Sequence, residues 1–131
     1  MAINFDKALG IQQHTLLLRA QRAEVLANNM ANADTPGYKA QDIDFKSALE
    51  QALSGRQSGL TRTHEKHIAS RSSLSGDIKY VIPNQPDTGD GNTVDTQVET
   101  QKYAQNALEY QTTLMYLSNK FKGIRKALKG E

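Results

Sequence analysis

The residues that could do chemistry are few and stand in patterns that fail the chemistry they suggest. Thr63-His64-Glu65-Lys66-His67 looks at first like a zinc-protease helix. That motif needs its two histidines four apart on one helical face, with the glutamate beside the first. Here they are three apart, and the flanking sequence is rich in Ser rather than helical. Zinc also needs three or four ligands, and the chain has no Cys to supply one. Asp87 to Val98 has the Asp and Gly content of a calcium loop. The loop's third, fifth and twelfth positions fall on Gly89, Gly91 and Val98, which offer no side-chain oxygen. Gly89-Asp90-Gly91 lacks the later glycine and the preceding strand of a dinucleotide site. No nucleophile elbow or P-loop occurs, and no acid–base pair falls on a reliable helix face. The expectation is a chain with no enzyme activity and no cofactor.

Composition points the same way. The 131 residues suffice for one domain. Apolar content is 37%, there is no Trp, and mean hydropathy is −0.63. A large self-contained core is hard to build from that, so much of the burial is expected against other chains. The absence of Cys removes disulfides and thiol chemistry without fixing the compartment. No apolar run reaches the length of a membrane span. The N-terminus has no basic head with an apolar block and cleavage site, so no cleaved signal peptide is expected. A net charge of +2 is too small for a general nucleic-acid argument, and a basic-tailed nucleic-acid module is the weakest of the readings left open. The terminal cluster Lys120, Lys122, Arg125, Lys126 and Lys129 reads as cations at a helix C-terminus.

The elements are legible at both ends. Asp6 to Met30 reads as helix, with Leu9, Leu16, Ala20, Ala23, Ala27 and Met30 in a heptad-like stripe. Ile11, Leu18 and Val25 form a second stripe on nearly the opposite side. One helix with two apolar stripes expects contacts on two sides. Asp95 to Leu128 reads as a longer helix. Tyr103, Ala107, Tyr110, Leu114, Leu117, Phe121, Ile124 and Leu128 step by four and three, beside a strip of Ala104, Leu108 and Met115. Asp95 or Thr96 can cap its start, Thr96 with Glu99 has capping-box spacing, and Gly130 suits the stop. At 1.5 Å per residue these helices are about 38 and 50 Å long.

Between them the character changes. Asn32, Thr35, Pro36, Gly37 and Tyr38 make a helix stop followed by a Pro-Gly turn. Asp44 to Leu53 reads as a short helix. Ile78 to Ile82 reads as a strand closed by Pro83. The fold class expected is mainly α. Residues 1–53 carry the first helix, turn and short helix, and 54–93 form an irregular insert with little β. Residues 94–131 form the C-terminal helix, which pairs with 6–31 as an antiparallel, coiled-coil-like hairpin.

Three stretches carry a family resemblance. Ala27 to Ala40, reading ANNMANADTPGYKA, resembles the signature shared by the rod, hook and hook-associated subunits of the bacterial flagellum. Asp42-Ile43-Asp44-Phe45 resembles its continuation in the proximal rod. Gly91 to Asp95, with Asn106 to Gln111 and Lys120 to Leu128, is similar to the rod proteins' C-terminal region. Residues 96–101 depart from the family's usual run, and the middle segment matches nothing. The resemblance implies a structural subunit of the proximal rod in the periplasmic part of the basal body, exported by the flagellar type III apparatus. Its implied partners are other copies of itself, other rod proteins, the adaptor joining rod to membrane ring, and the export gate.

Phe5 with Leu9 is similar to the gate-recognition element of early subunits, although both also suit core positions. In that setting Tyr110, Leu114, Leu117, Phe121, Ile124 and Leu128 are expected to meet the Leu9–Met30 stripe as the intrachain seam. Ile11, Leu18, Val25, Ala104, Leu108 and Met115 are expected to face neighbouring subunits. The competing reading of the periodicity is a cytoplasmic helical adaptor or regulator that closes into a four-helix dimer.

Overall fold

The structure, a computed structural model, describes residues 8–54, 64, 78–83 and 89–130. Its elements in chain order are α1 (Ile11–Ala31), β1 (Gln41–Ile43), α2 (Phe45–Ser54), β2 (Ile78–Tyr80) and α3 (Thr96–Lys129). The fold is mainly helical, and the two long helices pack along one another. They run antiparallel: Asn29 meets Glu99, Arg19 meets Glu109, and Lys120 reaches the Leu9 carbonyl.

Helix α1 does not run unbroken from Asp6. Ala8 and Leu9 are helical, but Gly10 adopts φ 62° and ψ −142°, which interrupts the helix before Ile11. That region of conformational space is essentially reserved for glycine. Lys120 Nζ of α3 donates to Leu9 O and to Gln12 Oε1, both at 3.1 Å, and so bridges the break. Asn32 ends α1 by donating from its own N–H to Asn28 O and Asn29 O and from its side chain to Asn28 O. The turn that follows is the expected one. Tyr38 N–H closes on Thr35 O at 3.2 Å across Pro36 and Gly37, and Gly37 has φ 74°. Proline at the second place and a positive-φ glycine at the third define a type II turn.

Beyond the turn, β1 pairs antiparallel with β2 in the register Gln41↔Tyr80, Asp42↔Lys79 and Ile43↔Ile78. The expected strand is thus present over Ile78–Tyr80, while β1 is too short to show a period. Asp44 starts α2, accepting from Ser47 N–H with its side chain and from Ala48 N–H with its carbonyl. Helix α3 is capped by Asp95, whose carboxylate accepts from Gln97 N–H at 2.9 Å and Val98 N–H at 3.2 Å. Gly130 closes it in the left-handed conformation. Of the two possible caps Asp95 is used, and Glu99 turns inward instead of completing a box.

The small core lies where α2 and β1 fold back over one flank of α1. Leu18, at 0% exposure, joins Val25, Ile43 and Ala48, with Phe45 and Leu49 packed against them. This corrects the expectation that Leu18 and Val25 face neighbouring subunits. The amphipathic α2 needs a partner for its own apolar side, and the second stripe of α1 supplies it.

Candidate assembly surface and the polar seam behind it

The seam between α1 and α3 is the second correction. Leu114, Phe121, Ile124 and Leu128, expected inside it, are exposed, as are Ala20 and Ala27. Leu9, Leu16, Ala23, Met30, Tyr110 and Leu117 are half-buried along its margins. Its buried centre on α3 is polar: Glu99 (2% exposed), Asn106 (1%) and Thr113, spaced seven residues apart. Seven residues are close to two helical turns, so the three share one face. Lys120 continues the same spacing.

Glu99 and Asn106 are answered from α1, while the Thr113 hydroxyl donates to Glu109 O within α3. Asn29, fully buried, uses its amide in two directions. Its Nδ2 donates to Gln41 O and Glu99 Oε2, both at 2.7 Å, while its Oδ1 accepts from Gln41 N–H and the Tyr38 hydroxyl. Glu99 Oε1 takes Lys102 Nζ at 2.8 Å. Asn106 Nδ2 donates to Arg19 O at 2.9 Å. The Arg19 guanidinium pairs with Glu109 and stacks 4.7 Å from the Phe45 ring centroid. A coiled coil with polar groups at its central positions gives up some stability and gains a defined register. The structure departs from the expected apolar seam because the polar heptad Glu99-Asn106-Thr113-Lys120 runs between the apolar ones and the helices pack on that face.

Arg22 and Asp42 join the seam to the β-ribbon through two 2.8 Å hydrogen bonds. Burial pushes the Asp42 carboxyl up, but the Arg22 hydrogen bonds and charge, the Ile43 N–H and Lys102 outweigh it. The carboxyl is held below its ordinary range. Arg22 is raised, chiefly by the same hydrogen bonds.

The signature turn is clasped by the loop that leads into α3. Asn92 Nδ2 points at three carbonyls, Asn32 O, Ala33 O and Thr35 O, at 3.0, 2.6 and 3.0 Å. Gly37 N–H donates to Asp90 O, Thr93 N–H to Tyr38 O, and Ala40 N–H to Thr93 Oγ1. Two stretches that carry the family resemblance, 27–40 and 91–95, therefore form one knot. Asn32 and Tyr38 act within it, and exposed Thr35 and Pro36 shape it. Phe5 lies outside the described residues. Leu9 contributes its carbonyl to Lys120.

One of the outward faces of α3 carries an apolar strip. Leu108 (66% exposed) and Met115 (57%) stand on the side of α3 away from the seam, together with exposed Ala104. Ile11, also expected outward, is half-buried. Among the described residues no helix is long and apolar enough to cross a membrane. None of these arrangements places a nucleophile, acid and base around a common point; they hold backbone segments together.

Comparison with known proteins finds relatives along the whole chain. The family model of the flagella basal body rod protein matches residues 9–39, the span from Leu9 through the clasped turn. The chain is 56% identical over 131 residues to the flagellar basal body rod protein FlgB of Aeromonas hydrophila, covering 100% of this chain and 99% of the relative. It is 46% identical to that of Salmonella typhimurium, covering 99% of each. To that of Cereibacter sphaeroides it is 43% identical, covering 97% of this chain and 98% of the relative. The chain belongs to the flagellar basal body rod protein family, and within it to the FlgB type.

Proposed function

We propose that the chain polymerises through α1 and α3 into the proximal part of the flagellar rod and transmits torque there as a stiff, interlocked tube. End-to-end similarity to rod proteins supports the assignment to the rod. The observation that carries polymerisation is the outward strip of Ala104, Leu108 and Met115 on a 34-residue helix. Exposed apolar side chains grouped on one helix face in this way mark an interaction surface. The seam suits a shaft for a separate reason. Charge-assisted hydrogen bonds between the two helices, Asn29 to Glu99 and Arg19 to Glu109, are geometrically specific, so load on one helix is carried to its partner at fixed register.

In this reading the partners are further copies, other rod proteins and the adaptor to the membrane ring. Export runs through the type III gate without a cleaved signal, with Phe5 and Leu9 as the gate element, and the finished rod lies in the periplasm. The role is structural rather than enzymatic, with no cofactor. Deletion of the gene is expected to abolish motility and leave basal bodies that end at the membrane ring. Intact rods in the deletion strain would overturn the proposal. A tight, fully folded four-helix dimer of the purified chain would favour a cytoplasmic adaptor instead.

A further inference from the structure

The two edges of the β-ribbon differ. Val81 N–H donates to Ala40 O at 2.9 Å, so 40–81 and 42–79 are the hydrogen-bonding positions of the ladder. Gln41 on β1, and Ile78 and Tyr80 on β2, therefore turn their backbone groups outward. The β1 edge is closed by a side chain: the Asn29 amide accepts from Gln41 N–H and donates to Gln41 O, as a neighbouring strand would. The β2 edge has no counterpart. Among the described residues, the backbone groups of Ile78, Tyr80 and Ile82 have no partner on that side.

A bare row of alternating donors and acceptors matches another extended backbone. The side chains beside it are apolar. Ile78, Tyr80 and Ile82 are 53, 71 and 89% exposed and share the side on which Ile43, opposite Ile78, enters the core. A lysine often guards such an edge. Here Lys79 alternates to the other side, and its ammonium lies 2.7 Å from Asp44. Pro83 lacks a backbone donor, but its nitrogen falls on the β1 side, so the outer edge loses nothing.

We propose that the β2 edge pairs with the β2 edge of a second copy, antiparallel and centred on Tyr80. Since Asn29 closes β1, β2 is the one ribbon edge among the described residues through which two copies can join. In this register Tyr80 faces Tyr80, and Ile78 faces Ile82, of the second copy. Each is a hydrogen-bonded pair, so every outward donor and acceptor is answered, and Lys79 stands opposite Val81 rather than another lysine. Ile82 of the second copy comes beside Ile78, which lines a cleft of about 230 Å³ with Gln21, Glu24, Val25 and Ile43. A shift by one residue would turn the apolar side chains of the second copy to the opposite face. The contact is two-fold and consumes both edges, so it stops at two copies and cannot repeat along a shaft. It belongs to the free chain, stands apart from the rod assembly proposed above, and keeps an open edge from templating aggregates.

The lack of Cys lets single replacements report the register. Purified full-length Tyr80→Cys is expected to oxidise to a dimer about tenfold faster than Glu50→Cys, a control at an exposed position of α2. Ile78→Cys mixed with Ile82→Cys should give the mixed dimer, and Ile78→Cys alone should not. Tyr80→Cys no faster than the control, or ready dimers of Ile78→Cys alone, would overturn the pairing. Tyr80→Pro removes the outward N–H without touching a bond to β1. In sedimentation equilibrium it is expected to associate about tenfold more weakly than the parent chain while melting like it. A parent chain that stays monomeric up to about 1 mM, or a Tyr80→Pro chain that dimerises equally well, would also defeat the proposal.

Discussion

The side-chain amide of Asn29 donates to the Glu99 carboxylate at 2.7 Å with both residues buried, linking the end of α1 to the start of α3. This bond ties the signature segment to the C-terminal helix across 70 positions of sequence. Asn29 has a partner on each side of its amide, so it cannot be replaced by a side chain with one polar function. Asn29→Leu orphans Glu99 Oε2 and two backbone groups of Gln41. A buried group left unsatisfied costs about 1–3 kcal/mol. The variant is expected to lose at least that much in urea unfolding, and Asn29→Asp to lose comparably by setting two carboxylates together. A midpoint unchanged in both would show that the bond does not hold the helices.

The Arg22–Asp42 pair makes stability fall at low pH. The folded Asp42 carboxyl is held below its ordinary range, so its contribution is fully present above the unfolded value of about 4. It is lost as pH falls from there through the lower folded value. Thermal melts are expected to be flat from pH 7 to about 5 and to drop progressively below 4. Asp42→Asn is expected to be less stable at pH 7 and to show a shallower acid drop. An acid profile identical to that of the parent chain would refute the coupling.

Leu18 and Leu108 separate folding from assembly. Leu18 is fully buried between α1, α2 and β1, so Leu18→Ala is expected to cost about 2–5 kcal/mol of unfolding free energy. Leu108 is exposed in the single chain, and Leu108→Ala is expected to change that free energy by no more than about 0.5 kcal/mol. Motility should fail in both strains, the first through reduced subunit levels and the second with normal levels. Immunoblots of whole cells make the distinction.

Asn92 holds the Pro-Gly turn by three carbonyls of the segment 32–35. Asn92→Ala releases them and is expected to cost about 1–3 kcal/mol. Limited proteolysis should then cut within residues 33–38 several-fold faster than in the parent chain. An unchanged cleavage rate would mean that Pro36 and Gly37 hold the turn by their own backbone preferences.

Several features follow from residue identity alone, because they depend on neighbours along the chain. Pro36 and Gly37 impose their turn wherever the segment sits, Asp95 caps α3, and Gly130 ends it. The long apolar periodicities likewise establish two long helices, and the resemblance at 27–40 reaches the family. Which stripe meets which surface is a different kind of question. Leu18 and Ala20 differ little in periodicity, yet one is core and the other is exposed. That difference arises because α2 and β1 fold back over one flank of α1 and leave the other for α3. The polar seam is also a tertiary outcome. Glu99, Asn106 and Thr113 read as a solvated face until Asn29, the Arg19 carbonyl and the packing of α1 bring partners and cover to them. Hydrogen bonding makes a buried polar residue tolerable, and its partners lie some 70 to 90 residues away in sequence.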